Sequence, residues 1–193
     1  METKVDVIVP PERLGALIGH DGKVKGDIEL AFQVEINVDS KSGLVEIRPK
    51  QGSTDPAALL KAKDVVTAIG RGFSPQKAFD LLDDDTILDI IDLRQLFGKS
   101  DPDIRRIKGR IIGADGKTRR IVEEMTGASI SVYGHTIAII GNYEDASTAR
   151  EAIEMLVKGR QHATVYRILR RKRREAKKKK TLELWEKPIP DAG

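Results

Sequence analysis

Two glycine loops in this chain have the composition to hold a phosphate chain. The first, Gly19-His20-Asp21-Gly22, follows Leu17-Ile18 and precedes Lys23. The second, Gly113-Ala114-Asp115-Gly116, follows Ile111-Ile112 and precedes Lys117. They stand 94 residues apart, and the same offset places Gly15 on Gly109, Ile28 on Val122, Ile36 on Ile130 and Val38 on Val132. Such coincidence, over about two dozen residues, marks a repeated structural unit. Glycine has no Cβ, so the backbone can approach a sugar-phosphate chain closely. A helix starting after the loop turns N–H groups and a positive dipole end toward the phosphate. One copy alone would read equally well as an ordinary turn; two copies with the same flanks favour the phosphate chemistry.

Other chemistries find little support. A nucleotide-hydrolysing phosphate loop places a glycine five residues before the glycine of Gly-Lys-Ser/Thr. That position is Ile111 ahead of Gly116-Lys117-Thr118 and Leu17 ahead of Gly22-Lys23-Val24. The chain has no cysteine, which excludes disulfides and thiolate zinc sites. His20, His135 and His162 do not pair at ligand spacing, so neither a metal nor another cofactor is expected. No acid–base pair or nucleophile constellation stands out, and an enzyme is not expected.

Charge divides the chain. Its net charge is +4, yet residues 167–180 contain ten Lys or Arg and one Glu, leaving the remainder at −5. Attraction to a polyanion is therefore concentrated near the C-terminus. The second loop is flanked by Arg106, Lys108, Arg110, Lys117, Arg119 and Arg120. The first has Arg13, Lys23 and Lys25, with Glu12, Asp27 and Glu29 nearby. Hydrophobic residues at 39% suffice for packed cores. Charged residues at 33% with no cysteine are a composition seen in hyperthermophiles. No apolar run approaches the ~20 residues of a membrane span, and the N-terminus lacks a signal-peptide apolar core. A soluble, cytoplasmic protein without a membrane partner is expected.

The elements that must position the loops follow from periodicity. Val5, Val7 and Val9 alternate as in a strand, and Pro10-Pro11 starts a helix. A second helix carries Val24, Ile28 and Phe32. Val34–Val38 and Leu44–Ile47 form a hairpin, and Asp55-Pro56 opens a closing helix with Ala58, Ala62, Val65 and Ile69 on its buried stripe. The order is β-α-α-β-β-α. The second unit repeats it: a strand over 87–93, a loop over 94–100, helices around Gly113–Gly116, strands at Ile130–Val132 and Thr136–Ile140, and a closing helix striped by Ala146, Ala149, Ile153 and Leu156. Gly70-Arg71 pairs with Gly159-Arg160, so the second copy is five residues shorter, with the loss expected in its strand turn. Boundaries are expected at 1–82 for the first unit, 83–85 for an acidic linker, 86–159 for the second unit, 160–180 for a basic helix and 181–193 for a tail.

Val7-Ile8-Val9-Pro10 through Asp39, and Ile107 through Tyr133, resemble type I KH domains. The resemblance implies an α+β fold, with two three-stranded antiparallel sheets, each with helices on one face, plus the basic C-terminal helix. Ser100-Asp101-Pro102-Asp103-Ile104-Arg105-Arg106, the second loop, and Gly159 through Tyr166 resemble the archaeal tandem-KH ribosome-assembly family. That implies single-stranded RNA, near the 3′ end of small-subunit rRNA, as ligand. It further implies as partners the Nob-type endonuclease, the rRNA dimethyladenosine transferase and the alpha subunit of translation initiation factor two. A protein adaptor and a general RNA chaperone or translational regulator are the rival readings.

The RNA-binding residues expected are Arg110, Ile111, Ile112, Gly113, Ala114, Asp115, Gly116, Lys117, Arg119, Arg120 and Ile130 of the second unit. Ile18, Gly19, His20, Asp21, Gly22 and Lys23 of the first, and Arg170, Arg171, Arg173 and Arg174 of the basic helix, complete the set. An aspartate beside phosphate is repulsive, so Asp21 and Asp115 are expected to turn outward or to cap the following helices. Aromatics are only 4%, so base contact should be aliphatic, through Ile111, Ile112 and Ile130.

Overall fold

Strand β1 (Val5–Ile8) stops short of Pro10, which with Pro11 sets the first turn of α1 (Pro11–Ile18). A tight turn, His20–Gly22, leads into α2 (Lys23–Phe32). Strands β2 (Val34–Asp39) and β3 (Leu44–Pro49) follow, then α3 (Pro56–Gly70), whose N-cap Asp55 accepts from the Ala57 N–H at 2.8 Å. The sheet is antiparallel in the order β1-β3-β2. A short α4 (Pro75–Ala78) and a tight turn to Leu82 lead to the second unit. The structure, a computed structural model, describes residues 4–52, 55–98 and 100–186.

The second unit runs β4 (Thr86–Asp92), α5 (Leu93–Phe97), α6 (Asp101–Ile112), α7 (Lys117–Thr126), β5 (Ser129–Tyr133), β6 (Thr136–Asn142) and α8 (Tyr143–Val157). Its antiparallel order, β4-β6-β5, matches the first. The fold is α+β with the expected repeat. One detail differs: part of the expected loop over 94–100 is the helical turn α5, whose N-cap Asp92 accepts from the Arg94 N–H at 2.8 Å. The basic segment belongs to α9 (His162–Glu186), which also takes in residues 181–186 of the expected tail; the tail's remainder, 187–193, lies outside the described residues.

Strand register shows where the second copy is shorter. Val38 pairs with Val45, and Val132 pairs with Ile137, so the offset drops from 94 to 92 across the strand turn. It drops to 87 by the end of the closing helices, where Gly72 (φ +97°) and Gly159 (φ +83°) both adopt the left-handed region. Gly159 therefore corresponds to Gly72. Gly70 is still helical and lies against Val9. Two of the lost residues come from the turn and five from the segment joining the third strand to the closing helix.

The second sheet is covered on both faces. Ile130, Ile137 and Ile139 pack into the core under the second unit's own helices. Ala138 and Ile140 of β6, with Leu88 and Ile90 of β4, pack into the first unit's core. Each sheet carries its own helices on one face, as expected, and the other face of the second sheet is covered by the first unit. Polar bonds join the units: Ser131 Oγ donates to the Arg71 carbonyl at 2.8 Å, and Tyr133 Oη donates to Glu12 at 2.6 Å.

Candidate nucleic-acid interface

The two loops repeat to within a few degrees. Gly19 sits at φ +74°, ψ 179°, and Gly113 at φ +71°, ψ 177°, a region open essentially to glycine alone. A Cβ would collide with Val24 at the first and with Thr118 at the second. Gly22 and Gly116 both have φ +75°, with open space where a side chain would stand. Between them Asp21 (φ +51°) and Asp115 (φ +50°) are also left-handed. Neither aspartate caps a helix. Their occurrence follows from the conformation, which Asp tolerates better than most residues. Both side chains are exposed, as are His20, Lys23, Ala114 and Lys117. Helical Gly15 and Gly109, one turn before the loops, also leave open space at Cβ.

Arg120 is exposed and supports its loop, donating from Nη2 to the Asp115 carbonyl at 2.8 Å. Arg119 is half-buried, with Nε 3.9 Å from Glu123 Oε2. Ile18 and Ile112 are half-buried at the loop mouths. The side chains of three residues expected at the interface are engaged within the protein. The Ile111 and Ile130 side chains are core groups, 1% and 3% exposed, because their faces point under the helices. Arg110 donates from Nε to the Leu156 carbonyl at 3.2 Å and from Nη2 to the Arg160 carbonyl at 2.7 Å. Its guanidinium ties α6 to the end of α8. Arg13 does the corresponding work in the first unit, bonding the Ile69 carbonyl at 2.9 Å and the Phe73 carbonyl at 2.6 Å.

Helix α9 lies beside the second loop, a placement sequence reasoning missed. Its Tyr166 Oη donates to Thr118 Oγ1 at 2.9 Å, and His162 Nε2 lies 2.9 Å from the Arg110 carbonyl oxygen. Val165 and Leu169 are buried and Arg170, Arg171, Arg173 and Arg174 are exposed. The Val165/Leu169 apolar pair at helical spacing is the sequence signal for docking. Among the described residues, no group of three or more His, Cys, Asp or Glu could hold a metal ion, and no helix is long and apolar enough to cross a membrane.

Comparison with known proteins accords with this geometry. Residues 7–84 match the Krr1 KH1 domain, and residues 87–174 match the eukaryotic type KH domain (KH-domain type I). The KH domain-containing protein MJ0443 of Methanocaldococcus jannaschii is 45% identical over 179 residues, covering 93% of this chain and 78% of that protein. The chain belongs to the tandem type I KH-domain family. Dim2p from Pyrococcus horikoshii OT3 is similar to this KH protein at 46% identity and a TM-score of 0.79, covering 88% of this chain and 99% of that one. A further similar structure is the a/eIF2alpha-aDim2p-rRNA complex from the same organism, at 44% identity and a TM-score of 0.83, covering 90% and 96% of the two chains. The pre-rRNA-processing protein PNO1 of Chaetomium thermophilum is 36% identical over 168 residues, or 84% of this KH chain and 63% of PNO1.

Proposed function

We propose that this KH protein binds single-stranded RNA near the 3′ end of small-subunit rRNA during ribosome maturation. The second KH domain is the main clamp, and the protein recruits processing or initiation factors without catalysis of its own. The observation that carries this is the Gly113–Gly116 loop. Its backbone leaves room for phosphate, and Lys117 and Arg120 are exposed beside it. A KH clamp of this kind holds about four nucleotides, with bases splayed as a duplex does not allow. The rRNA complex of the similar Pyrococcus protein supports the ligand, and its a/eIF2alpha component supports an initiation-factor alpha subunit as partner. The Nob-type endonuclease and the dimethyladenosine transferase are the partners the family resemblance supports, in the cytoplasm.

A second reading makes the first KH domain a protein platform. Its sheet face is open, with Ile8 75% and Leu44 38% exposed. The test substitutes Ala114→Asp and His20→Asp separately and titrates a single-stranded rRNA 3′-end fragment and its annealed duplex. Ala114→Asp should abolish most binding with little change in melting temperature, His20→Asp should do less, and the duplex should compete poorly. If the first loop proves more sensitive, the assignment of roles fails.

A further inference from the structure

Helices α7 and α9 lie side by side and in register. Tyr166 meets Thr118 at the loop end, and at the far end Arg173 Nη1 lies 3.7 Å from Met125 Sδ. Both pairs are 48 residues apart, so the helices run parallel. This sets Arg167 level with Arg119, beside the second loop, and carries the end of α9 well past the end of α7 at Thr126. Val165 and Leu169 face the protein, and from Arg173 to Leu182 every residue is exposed.

The cations of α9 are not equivalent. Lys172 pairs with Glu151, and Arg171 Nε lies 3.8 Å from Glu175. Glu124, Glu144 and Asp145 line the cleft beside Lys172, which Arg173 and Lys177 also border. Other cations differ. Arg167, Arg170, Arg174 and Lys177 fall on one stripe at helical spacing, and none of them pairs with an acidic side chain among the described residues. A cleft of about 580 Å³ between this stripe and Met125 is lined by Met125, Arg170, Arg173, Arg174 and Lys177, with no acidic group. The cleft beside the start of β5 is of opposite character, with Asp80, Asp83, Asp85 and Asp145 lining it against the single cation Lys77.

We infer that the single strand clamped by the Gly113–Gly116 loop continues outside the groove along this stripe, which binds its phosphates. The inference rests on the RNA clamp proposed above and extends it to a second, sequence-blind site. From Arg167 to Lys177 the stripe rises about 15 Å. At roughly 3.4 Å per phosphate for a base-stacked strand, that spans at most about four phosphate steps, and fewer for a strand with splayed bases. Contacts of this kind add affinity and carry no base information.

The test uses the full chain and the triple variant Arg170→Gln/Arg174→Gln/Lys177→Gln, with circular dichroism to verify the fold. Each is titrated at several salt concentrations with a single strand of about four nucleotides, filling the groove alone. The same strand is then lengthened by uridines at one end or the other. Both proteins should bind the short strand, the variant weaker only by the long-range attraction of the three lost cations. Lengthening at one end should tighten binding to the native chain, and the variant should lose that gain, its log–log salt slope flatter by about 2, for three contacts at roughly 0.7 each. If the lengthened strand gains nothing, or gains equally in the variant, the stripe is overturned and the clamp stands. If neither protein binds the short strand, the clamp fails and the continuous track fails with it.

Discussion

The Glu123 carboxylate accepts the Ile130 amide N–H at 2.8 Å, and Glu29 accepts that of Ile36 at 2.8 Å. The two pairs are related by the 94-residue repeat, as are the cations beside them: Lys25 Nζ lies 3.6 Å from Glu29, and Arg119 Nε 3.9 Å from Glu123. β2 and β5 are edge strands, and an uncapped edge amide invites pairing with foreign strands. Glu123→Ala should cost about 1 kcal/mol, the value of a charge-assisted hydrogen bond discounted for partial exposure. Glu123→Gln should cost less, since an acceptor remains. Urea midpoints at unchanged m-value would check both.

The arginine clamps predict a different pattern. Arg110→Met removes two bonds to the Leu156 and Arg160 carbonyls, and with them the tie between α6 and the approach to α9. A loss of about 2 kcal/mol is expected from two charged donors. Binding of long RNA should suffer more than binding of short RNA, because α9 loses its seat. Arg13→Met should cost a similar amount without that bias. Equal losses for short and long RNA in Arg110→Met would show that the arginine touches the clamp directly.

The parts of this architecture written in short-range patterns were legible in the sequence. The loops, the alternation at Val5, Val7 and Val9, and the Asp55-Pro56 cap all depend on neighbours within a few residues. The carbonyl bonds of Arg110 reach residues 46 and 50 positions away, and nothing local distinguishes it from a solvated arginine. The two-faced burial of the second sheet did leave a signal. β6 reads Thr136-Ile137-Ala138-Ile139-Ile140 with no polar alternation beyond the threonine, whereas β3 alternates Leu44-Val45-Glu46-Ile47. A continuous apolar strand is the pattern of one buried on both sides.

The contact between the domains should be pH-dependent. The Tyr133 hydroxyl holds the Glu12 carboxyl below its ordinary value, and burial with the Glu12 bond pushes the Tyr133 phenol up. For Glu12 the depressed value means stabilisation that is complete above the ordinary glutamate range and lost as pH falls through the folded-state value. For Tyr133 the raised value means stabilisation present below the ordinary tyrosine value and lost as pH rises through the folded one. Tyr133→Phe should lower stability at neutral pH, and the gap between variant and wild type should close at acid pH. Stability against denaturant across that range measures it. A gap that persists in acid would mean that the Tyr133 hydroxyl bond to Glu12 stabilises the contact without the carboxylate charge, since phenylalanine keeps the ring and its place 5.9 Å from the Arg13 guanidinium.

Gly26 offers a gain-of-function test of the asymmetry between the loops. It lies in α2, is exposed, and has open space where a Cβ would stand. The repeat places it opposite Arg120, the exposed cation that braces the second loop. Glycine inside a helix costs about 1 kcal/mol relative to alanine, so Gly26→Ala should stabilise the protein by about that amount. Gly26→Arg should recover most of the same stabilisation, because arginine is also a good helix former. It should also place a guanidinium beside the Gly19–Gly22 loop. If cations flanking the loop set the affinity, Gly26→Arg should strengthen RNA binding, and in a chain disabled by Ala114→Asp it should restore part of what was lost. Gly26→Ala in that disabled chain separates rigidity from charge: equal rescue by alanine would make helix stability the cause. Rescue by neither would leave the first loop without a role in binding RNA and favour the protein-platform reading of the first KH domain.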